Sequence, residues 1–236
     1  MIRKWQLAVM ALAVTVLLTA CSSQAAAPKE LPKGFTELKV GDAAPDWSGI
    51  IGVDDEKHSL SDYRKAEIIV LVFTCNHCPV AQLYEDRLIA LQEEYKGKGV
   101  QVVAVNSNDP LAFEPEKPGE EPPDSFEKMK DRAAGKDLGE WRKSKKPFNF
   151  PYVFDATQKM ALDHGATNTP HVFVFDKDRK VAYIGAIDDN NNAEQAKEHY
   201  LQDALNALLA GKEVNTTTTS PGRGCTIKWK KELLTD

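Results

Sequence analysis

Residues 68–80 read Ile-Ile-Val-Leu-Val-Phe-Thr-Cys75-Asn76-His77-Cys78-Pro79-Val80, and they decide the fold. The apolar, β-branched run predicts a strand buried on both faces. Beyond it, apolar residues recur at Val80, Leu83, Tyr84, Leu88, Leu91 and Tyr95, the spacing of one helical face. The strand therefore delivers two cysteines, two residues apart, to the start of a helix. Unpaired backbone N–H groups and the positive end of the helix dipole gather there, and both favour thiolate over thiol. The pattern points to redox chemistry.

Working outward, the helix of about 79–96 stops at Lys96-Gly97-Lys98-Gly99, a glycine stop after a basic residue. Val100–Asn106 is the next buried strand, and strand–helix–strand order argues for a parallel pair in an α/β domain. Residues 109–124 are acidic and proline-rich, a composition expected of an exposed loop, within an insertion of about 108–148. Asp124 with Glu127 fits a capping box opening a helix to about 134. A strand at 152–155 and a short helix at 156–164 follow. Strands at 171–175 and 181–184 flank a turn at 176–178 and read as antiparallel. A final helix spans about 193–209.

The ends bear on location. Basic Arg3 and Lys4 precede an apolar stretch from Leu7 to Leu18 and small residues before Cys21, the pattern of a signal peptide over 1–20. Leu18-Thr19-Ala20-Cys21 looks like the lipobox of bacterial lipoproteins. That resemblance implies lipid on Cys21, a flexible tether over 21–36 and attachment to the cell envelope; Ser22 points to an outer membrane where one exists. The domain then covers 37–212 and a tail 213–236. In the tail, Asn215–Gly222 reads as a spacer, and Cys225-Thr-Ile-Lys-Trp229 as a short strand packing back on the body. Of the four cysteines, 21, 75, 78 and 225, three remain after lipidation, in a compartment where disulfides persist. A net charge of −5 without a basic stripe argues against a nucleic-acid partner.

Together these features resemble the thioredoxin-like superfamily, in its redoxin and peroxiredoxin-like (alkyl hydroperoxide reductase/thiol-specific antioxidant) branch. The resemblance rests on Gly41-Asp-Ala-Ala-Pro45, the Cys75–Cys78 pair, and Gly165-Ala-Thr-Asn-Thr169-Pro170. Arg223-Gly224-Cys225-Thr-Ile-Lys-Trp229 looks like the closing motif of one peroxiredoxin-like group. The resemblance implies a central mixed β-sheet flanked by helices with an N-terminal strand extension. It also implies a cis Thr169–Pro170 facing the cysteines, where Thr169 aligns a substrate, and no cofactor and no metal. Peroxiredoxins use Pro-x-x-x-Thr-x-x-Cys; with Cys78 as that cysteine, Leu71 replaces the proline and Cys75 the threonine.

Two cysteines compete for the attacking role. Analogy with thioredoxin favours Cys75. Pro79 suits the first helical position, which makes Cys78 the N-cap, and related thiol reductases place the attacking cysteine five residues after the strand phenylalanine, here Phe73. Cys78 is therefore the preferred thiolate and Cys75 its resolving partner. Cys225 is either a second resolving thiol or a buried hydrophobe. A protonated His77 between the cysteines would stabilise the thiolate. Glu85 and Asp86 read as the polar helix face. His58, His164, His171 and His199 read as structural or exposed, and 186–192 lacks the spacing of a calcium loop.

The leading function is a cell-envelope thiol–disulfide oxidoreductase. Its partners would be protein or small-molecule disulfides and an upstream thiol exchanger, with the membrane touched through the lipid alone. The enzymatic rival is a thiol-dependent peroxidase with Cys78 peroxidatic. A copper chaperone using both thiols and His77 is the alternative of another class.

Overall fold

All six side chains of Ile68–Phe73 are buried, and this strand lies inside a sheet covered on both faces. The computed structural model describes residues 31–115, 117–137, 139, 142, 144, 146–215 and 224–234. Its strands are β1 (Ile50–Gly52), β2 (Lys57–His58), β3 (Ile68–Phe73), β4 (Val100–Asn106), β5 (Tyr152–Phe154), β6 (Asn168–Thr169), β7 (His171–Phe175), β8 (Val181–Gly185) and β9 (Cys225–Thr226). Its helices are α1 (Pro79–Tyr95), α2 (Phe126–Ala133), α3 (Lys159–His164), α4 (Tyr200–Leu209) and α5 (Lys231–Leu234). Seven strands form one sheet in the order β2-β1-β5-β4-β3-β7-β8, and β6 pairs with β9 alone. The β3–β4 and β4–β5 pairs are parallel, whereas β7 runs antiparallel to β3. This is the mixed, thioredoxin-like sheet that the resemblance implies.

Alternate side chains of β3 feed two cores, because successive strand residues face opposite ways. Val70 and Val72 join Tyr84, Leu88 and Ile89 of α1 and Leu201 and Leu205 of α4. Ile69, Leu71 and Phe73 join Met160 and Ala161 of α3, with Trp47 and Ile227. The second core thus includes a tail residue, Ile227, which is 2% exposed.

Several expectations shift. The N-cap of α2 is Ser125, whose hydroxyl accepts the Lys128 amide; Asp124 is drawn inward instead. α3 starts at Lys159, since Gln158 takes a left-handed conformation with φ 62° and spends its side-chain amide on the Ser107 and Lys228 carbonyls. α4 starts at Tyr200, and only a single tight turn, Ala193–Gln195, precedes it. The Asp189 carboxylate takes the Lys197 and Glu198 amides, which holds that stretch out of the helix. The folded body also begins earlier than the tether boundary at 36: the Lys33 and Thr36 amides donate to the Leu233 and Leu162 carbonyls. The signal peptide, Cys21, and the spacer beyond Asn215 lie outside the described residues. No helix among the described residues is long and apolar enough to cross a membrane.

Candidate active site

Where β3 ends, Thr74 donates to the Val105 carbonyl, and Cys75–His77 then bridge to α1. Cys78 is the N-cap of that helix, in an extended conformation, with Pro79 at its first position. Proline fits there because the first turn leaves its N–H unused. Both sulfurs are enclosed, with Cys75 1% and Cys78 0% exposed. Cys75, Cys78 and Cys225 are all free thiols in this structure.

The Thr169–Pro170 bond is cis, as the resemblance implies, and it turns Thr169 toward both sulfurs. Thr169 Oγ1 lies 3.0 Å from Cys75 Sγ, and the Thr169 carbonyl lies 3.4 Å from Cys78 Sγ. β9 then brings in the third cysteine. Cys225 pairs with Thr169 across the two-stranded ribbon, and its N–H donates to Cys78 Sγ at 3.4 Å. The tail strand anticipated at Cys225 is therefore part of the site.

These contacts separate the three thiols. A hydrogen bond from the Cys75 thiol outweighs the effect of burial, and with another from Cys225 and the Ala81 and Cys225 amides it pushes Cys78 down to about 4. Burial, followed by donation to Cys78, pushes Cys75 well up and Cys225 up to about 12. The three thiols thus separate into a lowered Cys78 and a raised Cys75 and Cys225.

Beside it lies a polar centre that the sequence did not announce. Asp124 is fully buried. Its carboxylate accepts the Asn76 amide at 2.7 Å, His77 Nδ1 at 2.5 Å and Asn108 Nδ2 at 3.0 Å, and more weakly the His77 amide and Asn106 Nδ2. Burial alone would raise this carboxyl, yet the donors, His77 foremost, hold it below its ordinary value. His77 thus faces Asp124 and packs tilted against Phe113, ring centroids 4.1 Å apart. Among the described residues no hydrogen bond joins it to either sulfur, and its Nε2 is buried without a partner. The loop expected to be fully exposed contributes both Phe113 and Asp124.

Beneath the cysteine loop, the Asn76 carbonyl accepts Gln82 Nε2 at 2.6 Å and Arg132 Nη2 at 3.1 Å. Glu85 is buried between Arg132 and Arg142, at 3.8 and 3.4 Å, rather than lying on a polar face. Burial pushes its carboxyl up to about 7 against the pull of the two guanidiniums. Cys78, Gln82, Glu85 and Ile89 step along one helical stripe, and that spacing was the available signal. The buried face of α1 follows it, so Val80, Leu83 and Leu91 are only half-buried. His164 and His171 are buried, as a structural role requires.

Cys75, His77 and Asp124 place a sulfur, a ring nitrogen and a carboxylate oxygen within 4.8 Å of one another. These are donors a soft or borderline divalent ion accepts, but the Asp124 oxygens are already engaged by the amides and side chains named above. A cavity of about 450 Å³ opens beside the loop, lined by Asn76, His77, Pro79, Gln82, Lys128 and Arg132 among others.

Comparison with known proteins places these observations. The profile of the AhpC/TSA family matches residues 40–184. A hypothetical protein of Sinorhizobium meliloti 1021 is similar at 29% identity and TM-score 0.70, over 83% of this chain and 97% of that one. An uncharacterized conserved protein of Geobacillus kaustophilus is similar at 35% identity and TM-score 0.69, over 82% of this chain and 93% of that one. No curated protein matches.

Proposed function

The chain belongs to the AhpC/TSA family, and from that premise we propose that it is a cell-envelope thiol–disulfide oxidoreductase with Cys78 attacking and Cys75 resolving. The observation that carries this reading is the Cys78 sulfur at the N-cap of α1, receiving the Cys225 amide at 3.4 Å. Stabilising the thiolate favours the reduced form and raises the reduction potential of the pair.

In the reaction, the Cys78 thiolate attacks one sulfur of a partner disulfide, and the other sulfur leaves as a thiolate. Cys78 is then neutral, so its charge no longer holds the proton on Cys75. Cys75 loses that proton to solvent and attacks Cys78 Sγ, which releases the partner as a thiolate. Two protein thiols become the Cys75–Cys78 disulfide, and one partner disulfide becomes two thiols. An upstream thiol exchanger would reset the pair. The sequence of the first 23 residues supports the envelope location through a lipid on Cys21.

The enclosure of both sulfurs favours a second reading, attack on a small peroxide. There the Cys78 thiolate takes one peroxide oxygen as sulfenic acid, the other leaves as hydroxide and takes a proton from solvent to become water, and Cys75 condenses with the sulfenic acid to a disulfide and a second water. Stopped-flow mixing of the reduced chain from Ser22 with stoichiometric hydrogen peroxide separates the two. Thiol loss no faster than that of free cysteine, with rapid reaction toward a disulfide, is the result expected of the exchanger; loss orders of magnitude faster than free cysteine would make it a peroxidase.

A further inference from the structure

The backbone edge alongside Cys78 is already occupied, and by the chain itself. Thr169 of β6 pairs with Cys225, and Asn168 with Thr226. Thr169 Oγ1 donates to the Cys225 carbonyl, and Asn168 Nδ2 reaches the Gly224 carbonyl at 3.5 Å. Gly224 lies so close that a Cβ there would stand 2.1 Å from the Thr169 carbonyl oxygen, so no other residue fits without lifting the strand.

The tail is held in two distinct ways. From Ile227 onward it is fastened to the body. Ile227 is buried and donates to the Thr167 carbonyl, Lys228 donates to Asn108 Oδ1, and the Lys228 carbonyl accepts from Asp109 and Gln158. Gly224, Cys225 and Thr226, by contrast, are only half-buried, and Cys225–Thr226 alone form a two-residue strand. This is the geometry of an added strand, where main-chain pairing supplies the hold, except that the guest belongs to the same chain.

We propose that Gly224–Thr226 is a resident strap on the β6 edge: it bars polypeptide partners from Cys78, and its own thiol, Cys225, is the first to close a disulfide with Cys78. The proposal rests on Cys78 as the attacking group. With a small disulfide, the Cys78 thiolate attacks one sulfur and expels the other as a thiolate. Cys225 then yields its proton to solvent, attacks Cys78 Sγ and expels the second thiolate. The product is a Cys78–Cys225 disulfide that fixes the strap in place. Cys75 reopens it by attacking Cys78 Sγ, with Cys225 leaving as the thiolate.

The test compares full-length wild type, Gly224→Val and Glu232→Ala, all reduced, the last at an exposed position on α5 outside the strap. Each reacts with bis(2-hydroxyethyl) disulfide and with a dodecapeptide whose cysteine is disulfide-linked to free cysteine. The readout is the ratio of peptide rate to small-disulfide rate. Gly224→Val should raise that ratio at least tenfold, while Glu232→Ala, which keeps the strap docked, stays within twofold of wild type. An unchanged ratio in Gly224→Val overturns the strap. Wild type supplies a readout independent of that variant's folding: mass mapping after limiting oxidation should find Cys78–Cys225 before Cys75–Cys78, and finding only Cys75–Cys78 at every time overturns the proposal. Adducts that form on Cys75 and never on Cys78 defeat the underlying reading instead.

Discussion

The junction between β3 and α1 and the proline-rich loop at 109–124 meet at one site but hold it by different means. The junction fixes the sulfurs by local backbone geometry: a strand end, an extended Cys78 and a proline that starts the helix. The loop acts at long range, sending Asp124 across 48 residues of sequence to the Asn76 amide and Phe113 onto His77. The reacting atoms thus come from a short segment, while the charge that organises that segment comes from elsewhere. Damage to the first should appear as lost chemistry, and damage to the second as lost stability of the cysteine loop.

Substitution at the junction has the largest expected effect. Cys78→Ser should slow disulfide exchange by about a thousandfold or more, since the alcohol is not ionised at neutral pH. Cys75→Ser should keep the attack and stop at the Cys78–Cys225 disulfide, which Cys75 is no longer there to reopen, visible by mass mapping on Cys78. The opposite pattern would exchange the two roles.

The loop comes second. Asp124→Asn removes the charge that several buried donors share, and losing hydrogen bonds to a buried charged group costs about 3 kcal/mol. Lys117→Ala, at an exposed position in the middle of the same loop, should change stability by less than about 0.5 kcal/mol. Urea unfolding of both variants sharpens the contrast, and equal effects would break it.

A smaller effect comes from outside both regions. Burial pushes His164 and His171 down to about 4 and about 3. Each binds a proton on unfolding below its unfolded value, so stability is fully present above about pH 6.5 and declines as pH falls below it. His171→Phe should flatten that decline by about 1 kcal/mol per pH unit between pH 6 and 4, measured by urea unfolding across the range.

The two regions also differ in how far they could be read from the chain. A β-branched run, a Cys-Pro step and a helical period are local features, and they placed β3, α1 and both cysteines. Asp124 gave no such signal, because next to Ser125 it looks like a cap, and which of the two turns inward is settled by donors remote in sequence. Glu85 was misplaced for a related reason. Its neighbours Arg132 and Arg142 come from the insertion, so only its spacing from Cys78 and Gln82 hinted at burial. The tail strand was legible in outline from its alternating Cys225, Ile227 and Trp229, but its partner, β6, was visible only in three dimensions.

The most direct test of the central claim is the ultraviolet absorbance of the reduced protein near 240 nm, where thiolate absorbs, followed from pH 3 to pH 9. Cys78 held at about 4 predicts one thiolate that appears near pH 4 and persists through neutrality, lost in Cys78→Ser and retained, with its midpoint raised, in Cys75→Ser. A wild-type protein with no thiolate below pH 8, or a signal lost in Cys75→Ser and kept in Cys78→Ser, would contradict the account.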